Sequence, residues 1–267
     1  MAAPERPRSF PVPPTRIARA MATVELGGIN CYSEEAGSGD PVLLLHGGYC
    51  SIETMRPQIE ELSKRYRVLA YERPGHGRSP DREGATSFDT MLADAITYLD
   101  TVEADRAHLI GFSDGAILSY LMAIRHPERV RSLVAISGSV DPSVGTELGP
   151  EELELAMPRS TIEQLTNEYN RLSPDRPEHA EVIFGKLMTM WKTEPEIERE
   201  ELGSIAAPAL IMAADHDVIP LDHTIMIRSS IPGAQLCIIP DSSHMVMTDR
   251  PELVNLALSG FLESVKP

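Results

Sequence analysis

Several shortages in this 267-residue chain each remove a class of protein. Its three cysteines, Cys31, Cys50 and Cys237, are odd in number and far apart. No disulfide framework is implied, and a reducing, cytoplasmic setting is the expectation. Basic residues are scarce: 24 Lys and Arg against 40 Asp and Glu leave a net charge of −16. Such a surface repels a phosphate backbone, so nucleic acid is not an expected partner. No apolar run approaches the roughly 20 residues that cross a bilayer, so no membrane partner is expected either. There is no N-x-[ST] acceptor for glycosylation. No Walker loop occurs, and "GHGRSP" lacks both a third glycine and a following helix, so no nucleotide cofactor is implied. Asp215, His216 and Asp217 lack a second cluster at ligand spacing, so no metal is implied.

The first 22 residues, "MAAPERPRSFPVPPTRIARAMA", carry five prolines and four arginines against one acid. No apolar segment follows the arginines, so a secretory signal does not fit, and a flexible arm without chemistry is expected over 1–22. From Thr23 the chain alternates strand and helix signals. "TVELGG" and "INCYSEEAGSGD" read as a hairpin turning at Gly27-Gly28. "PVLLLHGG", "RVLAYERPGHGRSP", "AHLIGFS" and "RVRSLVAISGS" read as apolar strands entering loops. Helical spacing separates them, as in "SFDTMLADAITYLDTV", where Phe88, Leu92, Ile96 and Leu99 share a face. Strands that are apolar throughout and divided by helices predict a parallel sheet covered on both sides. Over 141–202 there are helical segments and no strand, which predicts a helical cap. The alternation resumes with "APALIMAAD", "AQLCIIP" and a closing helix, so 23–140 and 203–267 form the core domain.

In "LIGFSDGAILSYLMA", Ser113 stands between two glycines where a strand hands over to a helix. A bare G-x-S-x-G is a common turn. In this context it has the form of a nucleophile elbow, in which a strained turn presents the serine hydroxyl. A hydroxyl needs a base to take its proton, and the base needs an acid to orient it. His244 follows the last strand, where the ends of parallel strands share one crevice. For the acid, Asp217 is favoured and Asp141 is the competitor, since both follow strands; Asp215 is better suited to supporting its loop. The other seven histidines lack such a position. The developing oxyanion requires backbone donors. Asp114, first in the helix after the serine, supplies one amide; "HGGYCS" supplies the other, with Gly48 preferred over Tyr49. In the cap, "VIFGKLMTMWK" places Phe184, Leu187, Met188 and Trp191 on one apolar face. With Tyr49, and with Met245 and Met247 beside the base, these predict a pocket for a hydrophobic substrate, lined by Tyr49, Met188, Trp191 and Met245.

Taken together, "LLLHGG", "ERPGHGRS", "GFSDGA", "MAADHDVIP" and "DSSHMVMTDRPE" resemble the α/β-hydrolase fold superfamily, in its serine hydrolase branch with a helical cap. The resemblance runs from about Thr23 to the C-terminus, interrupted by the cap. It implies a doubly wound, mostly parallel, eight-stranded sheet, with Ser113 as nucleophile, Asp217 as acid, His244 as base, and Gly48 and Asp114 as oxyanion donors. Three positions depart from the family pattern: Glu72 replaces an aspartate, and Ala214 and Ser243 replace frequent glycines. Asp114 resembles a subset of the family that handles substrates with an amino group, but helix-dipole complementarity is the simpler reading of its carboxylate. The expected activity is hydrolysis of a small acyl substrate (ester, lactone or thioester) through an acyl-enzyme. The alternatives are C–C bond hydrolysis or lyase chemistry on the same triad, and a ligand-binding signalling protein that retains the triad.

Overall fold

The computed structural model describes residues 19–144, 148–176 and 178–265. Its eight strands form one sheet in the order β1-β2-β4-β3-β5-β6-β7-β8. In chain order they are Arg19–Leu26, Ile29–Ala36, Pro41–Leu45, Arg67–Tyr71, Ala107–Phe112, Val130–Ile136, Ala209–Ala214 and Gln235–Ile239. The β1–β2 and β2–β4 pairings are antiparallel, and all others are parallel. Gly27 and Gly28 take the positive φ values, 55° and 82°, that a tight hairpin turn needs. Because β1 already begins at Arg19, residues 19–22 of the expected arm belong to the sheet edge; the rest of that stretch, 1–18, lies outside the described residues.

Side chains alternate across the strands, which divides the core in two. Leu43, Leu45 and Leu109 point into a layer shared with α2 (Phe88–Thr101), α3 (Asp114–Arg125) and α8 (Leu221–Ser230). Val42, Leu44 and Ile110 point into the opposite layer, shared with α1 (Arg56–Leu62) and α10 (Pro251–Ser264). Every residue of β5 and β7 is buried, as strands covered on both faces must be. The helical reading of "SIETMRPQIEELSKRY" divides at Met55, where a 3₁₀ turn over Ile52–Met55 precedes α1 and Pro57 occupies its first turn.

Between β6 and β7 the chain leaves the sheet and forms α4 (Pro150–Ala156), α5 (Arg159–Leu172), α6 (His179–Met190) and α7 (Arg199–Leu202). Short α7 packs against α3 and α8 on the core side. After β8 comes α9 (Val246–Asp249), a four-residue turn leading to α10. Among the described residues no helix is long and apolar enough to cross a membrane.

Candidate active site

The serine sits where β5 ends and α3 begins, at φ 53° and ψ −117°. Both flanking glycines are compelled by close approach. A Cβ on Gly111 would lie 2.0 Å from the Gly115 carbonyl oxygen, and a Cβ on Gly115 would lie 1.9 Å from that of Leu45. Neither gap admits a methyl group. The turn is fixed from both ends: Ser113 N–H donates to Ile136 O at 2.8 Å, and its carbonyl accepts from Ala116 N at 2.8 Å.

The loops at the carboxyl ends of β5, β7 and β8 bring three side chains into one relay. Ser113 Oγ–H donates to His244 Nε2 at 3.0 Å, and His244 Nδ1–H donates to Asp217 Oδ1 at 2.6 Å. The imidazole packs on Phe112, ring centroids 5.3 Å apart, while the His244 backbone N–H donates to Ala156 O of α4 at 2.8 Å. Asp217 is held by its own loop, since Ala214 N and Ile219 N donate to its two oxygens at 3.2 and 3.1 Å. Ser137 Oγ–H donates to the same carboxylate. Burial pushes the Asp217 carboxyl up, but the His244 charge and these hydrogen bonds outweigh it and hold the group below its ordinary value.

Asp141 is not in this arrangement. It is exposed and accepts from the backbone N–H and hydroxyl of Ser143. Asp215 accepts from Asp241 N and Ser242 N, tying the β7 loop to the β8 loop.

Gly48 lies beside Asp114: a Cβ added to it would meet Asp114 Oδ2 at 2.5 Å and the Trp191 ring at 2.4 Å. The Asp114 N–H opens α3, where no intrahelical acceptor exists. Its carboxylate does more than complement the helix dipole, because Oδ1 accepts from Trp191 Nε1 at 2.9 Å while Oδ2 is buried without a partner. Burial pushes this carboxyl up, opposed by the charge of Arg73, the indole N–H and His244.

The expected pocket residues separate. Trp191 lies over the site. Tyr49 is buried against α5 and α6, stacked on Tyr169 at 5.8 Å and edge-on to Phe184 at 5.3 Å, with its hydroxyl donating to Thr166 Oγ1. Met188 and Met245 depart from expectation. The buried stripe of α6 is Ala180, Ile183, Leu187 and Met190, so Met188, one step past Leu187, turns outward and is 39% exposed. Met245 and Met247 enter the layer between the sheet and α1–α10, with Gln58 Nε2 donating to Met247 O. They fill the core rather than a pocket. Two residues that bond to these groups or their loops escaped the sequence reading: Ser137, which follows β6 and reaches Asp217, and Arg73, which donates to the carbonyls of His46 and Gly47.

A family model described as the alpha/beta hydrolase family matches residues 42–257. A putative carbamate hydrolase, RutD of Azorhizobium caulinodans, is 28% identical over 257 residues, covering 88% of this chain and 96% of its own length. The 2-hydroxy-6-oxo-2,4-heptadienoate hydrolase of Pseudomonas putida is 27% identical over 246 residues, covering 84% of this chain and 89% of its own. The solved enol-lactonase from Burkholderia xenovorans LB400 shares the fold, with a TM-score of 0.72 at 20% identity over 91% of this chain and 100% of that one.

Proposed function

The chain belongs to the alpha/beta hydrolase family, and from that premise we propose that it is a serine hydrolase cleaving a small acyl substrate (ester, lactone or thioester) through an acyl-enzyme on Ser113. The observation that carries this reading is the unbroken relay from the Ser113 hydroxyl through His244 to Asp217, with links of 3.0 and 2.6 Å.

The chemistry follows from the geometry. As Ser113 Oγ bonds to the acyl carbon, its proton passes to His244 Nε2 and the carbonyl electron pair moves onto oxygen. Asp217 keeps Nδ1 protonated, leaving Nε2 free to accept, and stabilises the imidazolium. The N–H groups of Gly48 and Asp114 receive the oxyanion. Collapse expels the alkoxide or thiolate, which takes the proton from His244. Water then repeats the sequence and releases the acid. Trp191, whose ring stands beside Gly48 and Asp114, gives the acyl side an aromatic wall, which favours an apolar substrate portion.

A second reading, C–C bond hydrolysis by the same three residues, is supported by the Pseudomonas putida relative, named as a 2-hydroxy-6-oxo-2,4-heptadienoate hydrolase.

The test is turnover of p-nitrophenyl esters of increasing acyl length, beside labelling by a fluorophosphonate. The expected result is stoichiometric labelling that is lost in Ser113→Ala, with kcat falling by about 10⁴-fold or more. kcat/KM should rise from acetyl toward medium chains by at most about fourfold per methylene. Labelling that survives in Ser113→Ala moves the nucleophile elsewhere. Cleavage of a vinylogous 1,5-diketone with no ester turnover favours the second reading.

A further inference from the structure

Arg73 is fully buried, yet its guanidinium faces backbone carbonyls rather than a carboxylate. Its Nη1 donates to His46 O at 2.6 Å and its Nη2 to Gly47 O at 2.9 Å. Its own backbone N–H donates to His46 Nε2 at 3.1 Å, and His46 Nδ1–H donates to Gly47 O at 2.8 Å. Among the described residues no ion pair is made by this guanidinium, and its Nε–H has no partner. A charge buried in this way is costly unless its position is needed.

We infer that Arg73 is a positioning residue that aims the Gly48 amide at the oxyanion by clamping the Gly47 carbonyl. This rests on the hydrolase reading above. The carbonyl of Gly47 and the N–H of Gly48 belong to one planar trans peptide and point in opposite directions. Two short donors, Arg73 Nη2 and His46 Nδ1, with the Cys50 N–H farther off at 3.4 Å, fix where that carbonyl points, so they also fix where the amide points. The peptide stands against the nucleophile: a Cβ on Gly47 would lie 3.2 Å from Ser113 Cβ, and one on Gly48 would lie 2.5 Å from Asp114 Oδ2. Glycine backbone is permissive, so without the clamp only the long Cys50 bond would restrain this donor.

The guanidinium acts electrostatically as well. Its positive charge behind the carbonyl adds to the peptide dipole, whose positive end is the amide hydrogen facing the oxyanion. It also opposes the charge of Asp114, a carboxylate that would otherwise repel an oxyanion formed beside it.

The experiment compares the full-length chain with Arg73→Gln and Arg73→Lys, each normalised by fluorophosphonate titration so that unfolded protein is not counted. In Arg73→Gln, kcat per titrated site should fall by about 10²-fold, as when an oxyanion donor is lost, with KM changing less than about threefold. Affinity for phenylboronic acid, whose serine adduct is tetrahedral, should fall in parallel with kcat/KM, whereas inhibition by the product carboxylate stays within about twofold. Arg73→Lys, which keeps the charge and one donor, should recover about tenfold of the loss. A purely structural role would lower the melting temperature and the titrated fraction without this split. Full kcat per titrated site in Arg73→Gln overturns the inference. Should both variants fail to fold, a structure of the wild-type phenylboronate adduct decides. An adduct oxygen on Gly48 N–H with Arg73 still on Gly47 O supports the clamp, and an oxygen held by other donors overturns it. A wild-type chain that neither labels at Ser113 nor turns over esters overturns the hydrolase reading instead, so the two failures remain distinct.

Discussion

Trp191 Nε1 donates to Asp114 Oδ1 at 2.9 Å, so the one tryptophan of the chain ties the segment after α6 to the residue following Ser113. Among the described residues this indole is the only donor to a carboxylate that is otherwise buried without a partner. Trp191→Phe should keep the apolar contact and remove the donor. The expected outcome is about a tenfold rise in KM, with Ser113 labelling intact. Because the chain has no other tryptophan, wild-type emission reports on this contact directly. It should shift when a fluorophosphonate occupies Ser113, and an emission spectrum identical before and after labelling would argue that the indole does not meet the acyl site.

The two candidate acids give opposite expectations. Asp217→Asn leaves His244 Nδ1 facing an amide that can present its NH₂, which favours the unproductive tautomer, and kcat should drop by about 10⁴-fold. Asp141→Asn, exposed and outside the relay, alters the hydrogen bonds to Ser143 and a charge near His223, and should change kcat by less than about twofold. Steady-state kinetics of the two variants decides the matter, and a dead Asp141 variant would reassign the acid.

Stability against pH should carry the signature of His76. Its Nδ1–H donates to Pro74 O at 3.0 Å, while Nε2 is buried without a partner. Burial, aided by the Arg73 charge, pushes its pKa down to about 3. The unfolded chain takes up a proton near pH 6.5, so between there and about 3 it binds one more proton than the folded chain. The contribution is complete above pH 6.5 and is lost as pH falls, with a limiting slope of about 1.4 kcal/mol per unit. His76→Asn can retain the bond to Pro74 without titrating. Urea unfolding from pH 7.5 to 5 should show the wild type losing its advantage over this variant as acidity rises; parallel profiles would mean that His76 does not titrate on unfolding.

Gly115→Ala tests the elbow as a packing constraint separate from its chemistry. The added methyl would stand 1.9 Å from the Leu45 carbonyl oxygen, so β3 or α3 has to move. A loss of about 3 kcal/mol or more in unfolding free energy is expected, measured by chemical denaturation. A change under about 0.5 kcal/mol would show that the strand and helix can separate without cost.

Sequence patterns that act over a few residues were legible, and those that act across the sheet were not. Apolar strands between helical segments were enough for the parallel core, because each strand must be covered on both faces wherever it lies. The strand–Ser113–helix turn was legible for the same reason: its two glycines answer to a clash made locally and to the neighbouring strand. Placing Met188 failed because the α6 stripe is set by Ile183 and Leu187, and one residue of phase moves a side chain by about 100°. Met245 misled because it follows the base in sequence, while α9 turns its side chain under the sheet. Arg73 stands inside the motif "ERPGHGRS", but nothing in its neighbours tells that its guanidinium will be buried on the carbonyls of His46 and Gly47, a contact made only by tertiary approach.

The excursion that carries α4–α7 leaves from β6 and returns to β7, which are neighbours in the sheet. The sheet therefore closes around the insert whatever its length. Doubling such a loop costs only about 0.6 kcal/mol of closure entropy. Ser113, Asp217 and His244 all lie outside the insert, on loops after β5, β7 and β8. The insert can thus change length without breaking the sheet, but a replacement would have to restore its two bonds to the site, Ala156 O to the His244 N–H and Trp191 Nε1 to Asp114, for the relay beneath to keep its register.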